Sequence, residues 1–214
     1  MDIFKWYYQR RMLNAMVQNS WAEAERYAQK LIDRSGSSMG LQYNLALIAL
    51  GGGRTQDAYD LAEQTVRRYG ESLRLCRLLG DISYLEGHRE QARSWYTLSL
   101  DDNPGEKERH LIATRLEILE SEDCYIRAHE AFALIREAND LIEEQPEEAK
   151  RCYLEVVESD PTQVEALNNL GVLALEHDKD AREAIEWFTK VLTLVDHHGA
   201  GRNLAKARKA LKDA

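Results

Sequence analysis

The side chains able to do chemistry are few, and their spacing fails the chemistry they suggest. His129-Glu130 opens like the helical zinc motif of metalloproteases, but Ala133 stands where the second histidine must complete the ligand pair one turn on. His197 and His198 are adjacent, and neighbours on a helix diverge by about 100°, so they do not converge on one ion. Gly51-Gly52-Gly53-Arg54-Thr55 is glycine-rich as phosphate-cradling loops are, yet it lacks the Gly-Lys-Ser/Thr ending and reads as a turn between helices. Glu143-Glu144 and Glu147-Glu148 flank Pro146 in a charged turn and face water. No set of nucleophile, base and orienting group emerges, so the chain is expected not to be an enzyme and to need no cofactor or metal. Cys76, Cys124 and Cys152 are odd in number and irregularly spaced, which offers no disulfide framework and points to a reducing, cytoplasmic compartment. Cys76 falls in a core position of its repeat, and Cys124 carries no mark of reactivity.

What must position any functional side chain is a repeat. Ala58 and Ala92 lie 34 residues apart, as do Ala46 and Gly80, Leu45 and Leu79, and Gly53 and Gly87. A fixed period of this length marks helix–turn–helix units that cannot bury their apolar faces alone and must stack on their neighbours. A further step back reaches Ala24, which divides the first half into units 5–38, 39–72 and 73–106. The third unit is the fullest: Leu79-Gly80 in a first helix, Gly87 in the turn, Ala92 and Tyr96 in a second helix, Asn103-Pro104 at the exit. The order returns as Leu167, Leu170-Gly171, Ala184 and Phe188, preceded by Ala149, Tyr153 and Asp160-Pro161.

The period breaks in two places. Ala149 to Ala184 is 35 residues, so the turn around 177–180 holds one extra residue. Ala92 to Ala149 is 57 residues, a repeat plus about one helix. Within that stretch, 105–120 reads as a helix with Ile112, Leu116 and Leu119 on one face, and 124–144 as a longer one carrying Ile126, Phe132, Ile135 and Leu141. Ser121-Glu122-Asp123 supplies N-cap residues between them, and a bend or hinge is expected near 120–124. The expected organisation is a block of three units at 1–106, an irregular helical unit at 107–144, further repeat helices at 145–196 and a basic capping helix at 197–214.

Charge narrows the partner classes. The net charge of −9 is uneven, −1 over residues 1–106 and −8 over 107–214. Nucleic acid is not an expected partner, because backbone binding needs a continuous basic stripe. The one basic cluster, Arg202, Lys206, Arg208, Lys209 and Lys212, reads as a solvated terminal helix. No run approaches the ~18–20 apolar residues that span a bilayer. The aromatic start, Met1-Asp2-Ile3-Phe4-Lys5-Trp6-Tyr7-Tyr8, lacks a signal-peptide core and reads as the first helix, with self-association or anchoring on a partner as its functional alternatives. Trp21 and Trp95 add to the self-association reading.

The motif order resembles the tetratricopeptide repeat family over most of residues 5–196. The resemblance implies an all-α fold, a right-handed α-solenoid of antiparallel helix pairs with about five units, one irregular, and a C-terminal cap. It assigns Gly80, Gly171, Ala92 and Ala184 to the close helix crossings and Pro104 and Pro161 to the exits, where proline stops a helix. It implies a ligand groove lined by first helices, which here would present Tyr43, Asn44 and Leu47, then Arg74, Arg77, Leu78, Asp81 and Tyr84, then Glu165, Asn168, Asn169 and Val172. Arginine pairs carboxylates bidentately, asparagine bonds peptide backbone, and tyrosine supplies contact area at low entropy cost. The chaperone-tail clamp of some members would fall on Gln9, Leu13, Asn44, Arg74 and Leu78. Asn44 matches and Arg74 keeps the charge, but Gln9, Leu13 and Leu78 depart, so a different ligand mode is expected. The implied role is a non-enzymatic adaptor or scaffold holding a protein or peptide partner, mainly at 40–85. The alternatives are a self-associating building block, or a chaperone of an export or membrane-complex subunit.

Overall fold

Thirteen helices and no strand make up residues 2–213, the part of the computed structural model described here. Met1 and Ala214, the ends of the aromatic start and of the basic helix, lie outside the described residues. The chain divides into two compact units, 1–102 and 103–214. No helix among the described residues is long and apolar enough to cross a membrane.

The first unit is three antiparallel helix pairs: α1 (Ile3–Val17) with α2 (Trp21–Ser35), α3 (Met39–Gly51) with α4 (Thr55–Tyr69), and α5 (Leu73–Leu85) with α6 (Arg89–Asp101). Pairs stack through α2 on α3 and α4 on α5. The period is written in the backbone. Left-handed residues stand at Asn19, Gly53 and Gly87, with φ of 55°, 77° and 85°. After each, an N–H reaches back five residues: Ser20 to the Ala15 carbonyl, Arg54 to Ala49 and His88 to Ser83, at 2.8–2.9 Å. Glycine takes this conformation without a Cβ penalty, and asparagine tolerates it. The exits repeat as well: Ser38 and Ser72 cap α3 and α5 by accepting from the Leu41 and Leu75 N–H groups.

Small residues sit where the pairing needs them. A Cβ at Gly80 would lie 2.6 Å from the Tyr96 ring, and one at Gly171 2.6 Å from the Phe188 ring. Each glycine therefore lets an aromatic ring of the second helix lie on the backbone of the first. The fully buried Ala24, Ala58 and Ala92 hold the reciprocal position on α2, α4 and α6.

The second unit begins with α7 (Glu106–Glu120) and continues with α8 (Glu122–Phe132), α9 (Leu134–Leu141), α10 (Pro146–Ser159), α11 (Val164–Glu176), α12 (Ala181–Leu194) and α13 (His198–Asp213). Ser121 is the expected N-cap, accepting from the Cys124 N–H at 3.3 Å. The helix expected over 124–144 starts earlier, at Glu122, and is interrupted at Ala133, whose N–H tightens onto the Glu130 carbonyl three residues back. Ala131, Ile135 and Ala138 still share one face, packed with Ala149, Tyr153 and Val156 of α10. The extra residue in the α11–α12 turn is visible directly: Lys179 takes the left-handed place, at φ 57°, and the Asp180 N–H reaches back six residues to Ala174 instead of five.

That longer turn is tied to α10 by Lys150, whose ammonium lies 2.6 Å from Asp178 and 3.1 Å from Glu183. The hydrogen bond from Lys150, then the one from His177, holds the Asp178 carboxyl below its usual range. A depressed carboxylate pKa stabilises the fold above the unfolded value, about 3.9, and that stability is lost as pH falls through the folded value. Lys150→Met is therefore expected to be less stable than wild type at pH 7 and to lose less on acidification from pH 5 to pH 3, read from urea midpoints. An acid slope identical to wild type would place the acid-labile contribution elsewhere.

Candidate functional site

In the first unit a cavity of about 410 Å³ opens where α1, the end of α2, the start of α3 and the start of α5 meet. Its apolar lining is Met12, Leu31 and Leu41, all buried. Its polar lining is Lys5, Gln9, Asn44 and Arg74, with the Ser35 and Ser38 hydroxyls and Tyr43. Lys5 and Gln9 are one turn apart on α1, so one helix face carries both. Asn44 and Arg74 come from the first helices of successive pairs. The geometry of the wall is fixed from outside: Asp2 accepts from the Phe4 and Lys5 N–H groups as the N-cap of α1 and receives the Arg34 guanidinium at 2.6 Å, tying the end of α2 to the start of α1. That guanidinium holds the Asp2 carboxyl below its usual range. No carboxylate lines the cavity, and neither Lys5 nor Arg74 has an ion-pair partner among the described residues.

The structure sorts the residues expected along the groove. Tyr43, Asn44 and Arg74 line the cavity. Leu47 is half-buried against the Ala46–Ala49 cluster. Arg77 lies 3.6 Å from Asp81, which accepts from the Tyr96 hydroxyl at 2.8 Å, so this pair is engaged within α5 and α6. Leu78 and Tyr84 are only 5% and 2% exposed and cannot line an open surface. In the second unit Asn169 donates to Asn139 at 3.1 Å and to the Tyr153 hydroxyl at 2.9 Å, while Asn139 donates to Glu165 at 2.8 Å. Asn169 is thus part of an internal network, and Asn168 has its Oδ1 buried without a hydrogen-bond partner among the described residues.

Lys5 was not among the expected groove residues. Its signal is the i,i+4 pairing with Gln9, obscured by the aromatic run around it. Leu13, which the clamp register brings to the groove, is exposed and absent from the cavity lining.

The other reactive-looking groups have structural roles. His197 Nδ1 accepts from the Ala200 N–H at 2.9 Å at the start of α13. Gly53 supplies the left-handed turn between α3 and α4. Glu147, His177 and Asp178 bring three ligand atoms within 4.8 Å of one another at the surface, but the Lys150 ammonium already occupies the Asp178 carboxylate. Burial pushes the Cys76 thiol up, away from reactivity.

The tetratricopeptide repeat family pattern matches residues 12–72, 43–107 and 143–197, together well over half of the chain. Among curated protein sequences none matches. Similar solved structures include the TPR2AB domain of yeast Sti1 in complex with pHSP90, 16% identical, with 98% of this chain and 84% of that one covered at a TM-score of 0.49. A MamA double mutant is 15% identical, with 91% and 96% covered at a TM-score of 0.50. At 15% identity the MamA likeness speaks for the fold alone. The pattern match, the left-handed turn residues at the repeat period and the glycine–aromatic crossings agree: the chain belongs to the tetratricopeptide repeat family.

Proposed function

We propose that this protein is a non-enzymatic adaptor whose first unit holds an acidic, carboxylate-bearing segment of a partner protein in the cavity between α1, α3 and α5. The observation that carries the reading is charge: two cations without ion-pair partners and two side-chain amides converge on a cavity with no carboxylate in its lining. Arg74 would take a carboxylate bidentately, and Lys5 would take a second as a point charge. Gln9 and Asn44 suit the backbone of an extended segment, and Met12, Leu31 and Leu41 suit one aliphatic side chain.

The test is fluorescence polarisation with a labelled eight-residue peptide of Asp, Glu and a single Leu bearing a free C-terminal carboxylate. A peptide with Lys in place of each acid serves as comparison. Wild type is expected to bind the acidic peptide at least tenfold tighter, with affinity falling as salt rises. Lys5→Glu/Arg74→Glu should lose that preference at unchanged helicity, whereas Arg77→Ala should keep it. Equal binding of both peptides, or full binding by the double variant, would end the assignment.

A further inference from the structure

α1 carries a second face that the cavity does not use. Ile3, Trp6, Arg10, Leu13 and Val17 recur at alternating spacings of three and four, the a/d pattern of a helix seam. At 100° per residue they fall within an arc of about 80°, directly opposite the buried Met12 and Ala15. The four apolar members are 72%, 51%, 43% and 85% exposed in chain order. A helix apolar on two opposite sides is built for burial on both, and in this structure only one side is covered. Arg10 stands in the middle of the stripe, exposed, with its guanidinium 5.4 Å from the Trp6 ring centroid and no ion pair among the described residues. No acidic residue occurs anywhere in α1, and its neighbouring cation Arg11 is already paired with Glu23.

We propose that this face docks an amphipathic helix of a partner protein that places an acidic residue against Arg10. The stripe spans fourteen residues of rise, about 21 Å, so the partner helix runs roughly four turns. Arg10 decides between the possible occupants. A second copy of this chain paired about a two-fold axis, parallel or antiparallel, brings Arg10 against its own counterpart, because it is the third of five stripe positions; like charges in an apolar seam oppose that pairing. A membrane surface would have to take up Leu13 and Val17 on one side of Arg10 and Ile3 and Trp6 on the other, carrying the guanidinium down with them, whereas interfacial helices keep their cations on the polar face. A helix with Glu or Asp at the facing position turns the same guanidinium into a specificity contact.

The experiment uses the full chain and two 21-residue heptad peptides, with Leu at a and d and either Glu or Lys at the central a position, read by fluorescence polarisation. The Glu peptide is expected to bind wild type at least tenfold tighter than the Lys peptide. Arg10→Glu should reverse the preference, Leu13→Asp should abolish binding of both, and Arg74→Glu should leave the preference intact, which separates this face from the cavity. Equal binding of the two peptides, or binding of neither, overturns the proposal. So does a dimer in sedimentation velocity that Leu13→Asp dissolves, which would make the occupant a second copy. Flotation with phosphatidylcholine–phosphatidylserine vesicles that Leu13→Asp prevents would make it a membrane and overturn the proposal equally.

Discussion

Gly171→Leu is expected to destabilise the second unit by about 3 kcal/mol or more, lowering its melting temperature by on the order of 10 °C. A Cβ at Gly171 would meet the Phe188 ring at 2.6, 2.8 and 2.8 Å, where ordinary contact begins near 3.4 Å. Phe188 is fully buried on α12, so its ring has no solvent to swing into. The added side chain must push α11 and α12 apart. Leucine gains about 1 kcal/mol of helix propensity over glycine, which offsets only part of the overpacking. Gly201 provides the contrast, since nothing lies within 4 Å of a Cβ placed there on α13. Gly201→Ala should raise stability by roughly 0.5–1 kcal/mol. In the double variant Gly171→Leu/Phe188→Ala the two costs should sum to less than their separate values, because each change relieves the other. Thermal and urea unfolding of wild type, the two single variants, the double variant and Gly201→Ala decide the matter. A Gly171→Leu protein within about 1 kcal/mol of wild type would show that the crossing is not close packed. The same reasoning applies to Gly80, where the ring is anchored by the Tyr96 hydroxyl bond to Asp81.

This crossing is also what made the fold legible in the sequence. Gly80 with Tyr96 and Gly171 with Phe188 are contacts within one hairpin each, 16 and 17 residues apart, so their constraint appears as a local spacing. Gly53 and Gly87 were legible for the same reason. Asn19 and Lys179 hold the equivalent left-handed place; the extra residue around 177–180 was countable, but neither side chain named the position, because only glycine advertises a positive φ. The interruption at Ala133 was hidden: alanine neither stops nor kinks a helix by itself, and the break lies in one N–H that reaches back three residues instead of four. For the site, Tyr43, Asn44 and Arg74 could be placed from the repeat register. Leu78 and Tyr84 could not be excluded from it, since burial of a whole helix face depends on what packs there and not on the helix's own period. Lys5 lies in the first pair, where the Leu-Gly marker is missing. Asp160 was legible only as an exit residue before a proline, yet its carboxylate is fully buried. Its role depends on a partner 47 residues from Thr162 in sequence, a distance no local pattern encodes.

Asp160→Ala is accordingly expected to cost about 3–5 kcal/mol and to free α7 before the rest of the second unit. Asp160 Oδ1 accepts from the Thr162 N–H at 2.8 Å and the Thr162 hydroxyl at 2.7 Å, and Oδ2 accepts from the Gln163 amide at 2.7 Å. The Thr162 oxygen in turn accepts from Nε of the buried Arg115 at 2.9 Å, which links α7 to the loop between α10 and α11. Truncation to alanine strands three donors away from water, at roughly 1–3 kcal/mol for an unmade buried bond. Three such losses together reach the stated cost. Asp160→Asn retains the shape and one acceptor oxygen, so its cost should fall between wild type and alanine. An ion pair that also holds α7, Lys107 to Asp196 at 2.7 Å, is solvent-exposed and contributes little. Hydrogen exchange therefore has a spatial signature: amides of 106–120 should lose protection in Asp160→Ala while those of α12 keep theirs. Uniform loss across both would mean that α7 and α12 open as one cooperative element. A cost below about 1 kcal/mol would mean that the buried carboxylate is not what fixes α7.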